Sequence, residues 1–192
     1  MPLKIVYLHR QEIVGSGLVL LTNPPGYLAS DSSTRNLVEE AALVSKSHAL
    51  IAEEAKVMDE SKFQLLRSEF FASARTILED KGIRCIVEFT SRKEPGIEIR
   101  SEQKSSTQSD ALELMSAGLA ESFDVTTTLD GRNERGAYGQ NGEVQVIRIF
   151  LGPEERSLRK DLVVERVAYA VRLINGRLGY SETNKRPGDA LD

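Results

Sequence analysis

The residues best suited to do chemistry stand in one glycine-rich interval, Asp130-Gly131-Arg132-Asn133-Glu134-Arg135-Gly136-Ala137-Tyr138-Gly139-Gln140-Asn141-Gly142. Connections of about a dozen residues without a regular pattern tend to be functional or unstructured. The glycines let backbone approach a ligand closely. Arg132 and Arg135 can present forked donors to a phosphate or carboxylate, and Tyr138 can stack or hydrogen-bond. Arg148, in the apolar run that follows, extends this positive lining. The opposing reading is a solvated loop in which Asp130 and Glu134 neutralise the two arginines.

Other chemistry is sparse. His9, His48 and Cys85 are the only histidines and cysteine, and no two have the spacing of a metal-ligand pair, so the expectation is no metal and no cofactor. A Gly-x-Ser-x-Gly elbow and a phosphate-binding Gly-Lys-Ser/Thr are missing. Gly15-Ser16-Gly17 lacks the third glycine and the helix of a dinucleotide site, and reads as a turn. Cys85 alternates with Ile83, Val87 and Phe89, the pattern of a buried core thiol. Arg166 lies in an apolar helical stretch, where its charge must reach solvent or meet a carboxylate.

These residues belong to a chain of 192 residues, 40% hydrophobic and 28% charged, with a formal charge of -4. That length supports a core without disulfides or a structural metal. The charge gives no footprint for nucleic acid, which is disfavoured as a partner. Neither a signal region nor an apolar run of about 18 residues is present, so no membrane contact and a cytoplasmic location are expected.

Strands are expected at Leu3 to His9 and Leu18 to Thr22, forming a hairpin about the Gly15-Ser16-Gly17 break. Asn23-Pro24-Pro25-Gly26 then interrupts regular structure. Leu37, Ala41, Val44, His48, Ile51, Ala55 and Met58 follow at alternating spacings of four and three, which predicts one long helix from near Thr34. Its seam faces either its own domain or a second chain. Val44, His48 and Ile51 are thus candidate interface residues, with His48 a candidate pH-sensitive contact. A second helix carries Phe63, Leu66, Phe70, Ala74 and Ile77 and closes at Gly82, completing a helical hairpin.

Ile83 to Thr90 and Ile97 to Arg100 read as antiparallel strands about Glu94-Pro95-Gly96. A helix through Phe123, a half-buried strand at Val125, Thr127 and Leu129, and a central strand from Val144 to Leu151 come next. Gly152-Pro153 opens a last helix, apolar around most of its circumference from Leu162 to Ile174 and expected to be largely buried.

Strands in adjacent pairs predict an α+β domain over residues 1–178, with a flexible tail at 179–192. The expected architecture is a mixed or antiparallel sheet of about six short strands with four helices, including the helical hairpin. A flavodoxin-like three-layer α/β domain beginning at Leu3 to His9 is the alternative. With no catalytic signature, the expected function is a non-enzymatic binding, adaptor or assembly protein acting through protein contacts or self-association. An enzyme or sensor recognising a small phosphorylated or nucleotide anion through the 130–142 loop is the second reading.

Overall fold

A computed structural model describes residues 10–25, 32–52, 60–101, 106–129, 138 and 144–180. Among them are seven strands and five helices. In chain order these are β1 (Arg10–Ile13), β2 (Ser16–Asn23), α1 (Ser32–Ser45), β3 (Ser47–Ala52), α2 (Glu60–Lys81), β4 (Cys85–Ser91) and β5 (Ile97–Ser101). Then follow α3 (Ser106–Ala120), β6 (Val125–Leu129), β7 (Gln145–Leu151), α4 (Pro153–Arg156) and α5 (Lys160–Arg177). All strands join one sheet in the order β1-β3-β2-β4-β7-β5-β6. β3, β2, β4 and β7 run parallel, β1 is antiparallel to β3, and β5 with β6 runs antiparallel to β7.

The two faces of the sheet are covered differently. Val19, Leu21, Ala49, Ile51, Cys85, Val87, Phe89, Ile147 and Ile149 project to one face, where α1, α3 and α5 bury them. Gly118 brings α3 close to α5, since a Cβ there would stand 3.1 Å from the Ala170 methyl. On the other face α2 covers Leu20, Leu50 and Ile86 with Phe70, Phe71, Ala74, Ile77 and Leu78. The expected mixed sheet is present, with seven strands instead of about six, and its helices lie on both faces, as in the α/β alternative.

The long seam helix and the helical hairpin are corrected. α1 ends at Ser45, and Lys46 takes the left-handed conformation with φ 56°. His48 and Ile51 then lie in β3, whose six residues are all buried. Helical spacing continued across this boundary because a strand buried on both faces is apolar at every position and so satisfies any period. α1 and α2 lie on opposite faces of the sheet, so they form no hairpin. Ala55 and Met58 lie outside the described residues.

Two strand pairings are corrected as well. β2 pairs with β3 and β4, not with the strand before it, and Leu3 to His9 lies outside the described residues. β4 and β5 are not hairpin partners, because β7 inserts between them. Short sequence separation favoured a hairpin, but the apolar residues on both faces of β7 are buried best at the sheet centre. The last helix is broken between α4 and α5, and Tyr169 and Leu173 stay exposed on its outer side. Residues 181–192 of the expected tail lie outside the described residues.

Candidate functional site

From β2 the chain passes through α1 to β3 on one side, then returns through α2 to β4 on the other. The connections therefore leave in opposite directions from the neighbours β2 and β4. At such a switch point a crevice opens outside the carboxyl ends of the strands, where ligands of open α/β sheets bind.

Register fills this edge of the sheet with polar groups. Thr22 of β2 pairs with Glu88 of β4, Glu88 with Arg148 of β7, and Arg148 with Arg100 of β5. All four alternate with the apolar residues facing α1, α3 and α5, so they share the other face of the sheet, the one α2 covers. The row begins where the apolar cover from α2 ends.

Glu88 links the row. Arg148 Nε stands 3.6 Å from its Oε1, and the Tyr138 hydroxyl donates to its Oε2 at 2.7 Å. Arg148 and Tyr138 are buried, at 9% and 6% exposure. The Tyr138 ring meets Phe71 of α2 edge-on at 4.9 Å, which anchors a residue of the glycine-rich interval to the core. Burial, then the neighbouring Glu88 carboxylate, raise the Tyr138 hydroxyl well above the ordinary tyrosine range, so it stays a proton donor. Further along, Glu98 accepts from Arg100 at 2.7 Å and from Arg92 at 3.3 Å, and the hydrogen bond from Arg100 is the main cause holding it below the usual carboxylate range. Arg100 also lies over the Phe150 ring at 4.5 Å.

The opposite face adds two groups at the same edge. Asn23 ends β2 on the side of α1, and Thr34 lies in the first turn of that helix. Among the described residues, Asn23 Nδ2 and Thr34 Oγ1 are buried without a hydrogen bond. Such orphans are rare, and each calls for an unseen partner such as water, an ion or a ligand.

The expected site residues are thus distributed. Tyr138 and Arg148 come together on Glu88, while Arg132 and Arg135 lie outside the described residues. The expected interface of Val44, His48 and Ile51 is corrected. Val44 is exposed on α1, whereas His48 and Ile51 are buried in β3 and face opposite sides of the sheet, so they share no surface. Gly15 donates its backbone N–H to His48 Nδ1 at 3.2 Å. Of the two outcomes expected for Arg166, solvent or a carboxylate, it meets the carboxylate of Glu121. Glu88 went unnoticed in the sequence, although a charge inside the apolar run from Cys85 to Phe89 was its signal, as for Arg148 in β7.

Among the described residues, no group of three or more His, Cys, Asp or Glu side chains is placed to hold a metal ion. No described helix is long and apolar enough to cross a membrane.

No protein-family profile and no curated protein matches the chain. Its fold is similar to solved hydrolases. The catalytic domain of the CD27L endolysin targeting Clostridia difficile aligns with TM-score 0.56 and 14% identity, over 85% of this chain and 97% of that one. A bacteriophage poly-gamma-glutamate hydrolase aligns with TM-score 0.56 and 8% identity, over 93% and 92%. The N-acetylmuramoyl-L-alanine amidase AmiC2 of Nostoc punctiforme aligns with TM-score 0.50 and 15% identity, over 86% and 100%. At these identities the likeness is one of fold, an α/β architecture resembling amidase catalytic domains. It nonetheless overturns the expectation of a non-enzymatic adaptor. That expectation rested on missing motifs, whereas the solved structures that share this fold include amidases and an endolysin catalytic domain.

Proposed function

We propose that the chain is an amide-bond hydrolase acting on an anionic, peptide-like substrate at the carboxyl edge of β2, β4 and β7. The observation that carries this reading is the row Thr22, Glu88, Arg148 and Arg100 at the switch point, with Tyr138 donating into it. The likeness in fold to an N-acetylmuramoyl-L-alanine amidase and to a poly-gamma-glutamate hydrolase supports it, since both names denote cleavage of amide bonds.

In this reading Glu88 is the base. Tyr138 and Arg148 engage its two oxygens, but an ionised carboxylate offers about four lone-pair sites and can accept a further proton from water. Water oxygen adds to the substrate carbonyl as Glu88 takes the proton. The carbon–nitrogen bond then breaks, and the proton passes from Glu88 to the departing amine. Arg148 counters the negative charge on the tetrahedral oxygen, and Arg100 attracts a substrate carboxylate. Tyr138 acts as a positioning residue through its hydrogen bond to Glu88.

The test is release of amino groups from poly-gamma-glutamate and from N-acetylmuramoyl-L-alanine, compared between the unaltered protein and Glu88→Gln. Loss of the base should lower kcat about a hundredfold or more. Arg100→Gln should raise KM most on the carboxylate-rich polymer. The reading fails if the unaltered protein releases no amine from either substrate, or if Glu88→Gln is unimpaired.

A further inference from the structure

A second cleft lies at the opposite, amino edge of the sheet, where the ends of α1 and α5 approach the start of β2. It encloses about 370 Å³ and is lined by Ser16, Lys46, Arg172, Asn175 and Tyr180, among others. That volume falls within the range of small-molecule sites, roughly 300–1,000 Å³. The proposed hydrolytic site at the carboxyl edge makes no use of it.

Its construction is specific. Gly17 has φ 88°, and a Cβ there would stand 2.7 Å from the Asn175 amide atoms, so only glycine lets Asn175 seat against β2. Asn175 Oδ1 then accepts the Leu18 backbone N–H at 2.7 Å, which fixes the amide and leaves its NH₂ as a donor at the cleft. Ser16 donates both its backbone N–H, at 2.7 Å, and its hydroxyl, at 3.2 Å, to the Lys46 carbonyl. This fastens Lys46 in a left-handed conformation that a non-glycine residue adopts at a cost in backbone strain. Gly15-Ser16-Gly17, a mere turn in the sequence, thus holds together two residues of the cleft.

Two cations line the cleft, Lys46 and Arg172. Among the described residues, no ion pair or hydrogen bond engages the Lys46 ammonium or the Arg172 guanidinium. Cations near helix C-termini do offset the helix dipoles. That effect asks neither for a strained backbone nor for an immobilised amide beside them.

We propose that this cleft binds a small phosphorylated molecule, with Lys46, Arg172 and the Asn175 NH₂ as donors to its phosphate. A phosphate offers oxygens to a point charge and to a planar fork together, and the cleft leaves room for an attached group.

Titration with inorganic pyrophosphate at constant ionic strength tests the assignment, with citrate as a carboxylate of similar charge. The expected result is saturable binding of pyrophosphate, weak binding of citrate, and about a tenfold or greater loss of affinity for each of Lys46→Gly and Arg172→Gln. Both positions are exposed and Lys46→Gly relieves the strained φ, so circular dichroism should report an unchanged fold. Arg148→Gln controls for the carboxyl edge and should bind pyrophosphate normally. The proposal is overturned by no saturable binding, by citrate binding as tightly as pyrophosphate, by full affinity in the Lys46 and Arg172 variants, or by a loss confined to Arg148→Gln.

Discussion

One face of the sheet carries apolar side chains along the central strands and is sealed by three helices, whereas the other is apolar only as far as α2 reaches and then turns to Thr22, Glu88, Arg148 and Arg100. Both faces come from the same strands, so residues one apart in sequence serve different ends. Phe89 belongs to the sealed face and its neighbour Glu88 to the open one. The larger apolar core lies on one side of each strand, and the groups able to do chemistry are gathered on the other, beyond the smaller core under α2.

The largest effect should come from breaking the sealed face. Phe89 is fully buried at the centre of the sheet, and Phe89→Ala should cost about 3–5 kcal/mol, through lost transfer energy and the cavity left behind. Urea denaturation measures it. A cost under about 1 kcal/mol would mean that the sealed face is not where stability resides.

On the open face the loss should be smaller and should depend on the partner. Arg148→Met leaves Glu88 without its ion pair in a site where both side chains are at most 14% exposed, and should cost about 3 kcal/mol, the low end for breaking a buried pair. Glu88→Gln in the same chain removes the stranded charge, so the double variant should be more stable than the sum of the single losses implies. Additive losses in that cycle would separate the two residues energetically and weaken the case for one site.

Several elements were legible in the sequence, because their signals are local. Gly82 closes α2 with φ 63°, as a glycine after a helical run should, and β7 and the start of α4 stand where a run apolar on both faces and Gly152-Pro153 put them. What escaped was either ambiguous or non-local. Lys46 ends α1 in a conformation usual for glycine, so nothing in residue type marked the break, and His48 and Ile51 continued the helical spacing by chance of being in a strand buried throughout. The insertion of β7 between β4 and β5 joins segments more than forty residues apart in sequence, and the pairing of Glu88 with Arg148 exists only because of it. Tyr138 was legible as a residue of interest, but its burial depends on Phe71 of α2, which no spacing in the loop reveals.

The smallest expected effect concerns His48, on the open face but at the other end of the strands, beside Lys81 of α2. Burial, and secondarily the Lys81 charge, hold its pKa below the usual histidine range, and its Nδ1 accepts the Gly15 N–H. The folded state therefore favours the neutral ring, whereas in the unfolded chain the ring takes up a proton near pH 6.5. Its contribution is fully present above that pH and is lost as pH falls through the depressed folded pKa, because over this window the unfolded state binds more protons. Protonation also turns Nδ1 from acceptor to donor and breaks the bond from Gly15. Unfolding free energies measured from pH 7.5 down to pH 5 should fall in the unaltered protein and fall less steeply in His48→Gln, whose amide oxygen can still accept the Gly15 N–H. Equal slopes in the two proteins would show that His48 does not titrate differently on folding.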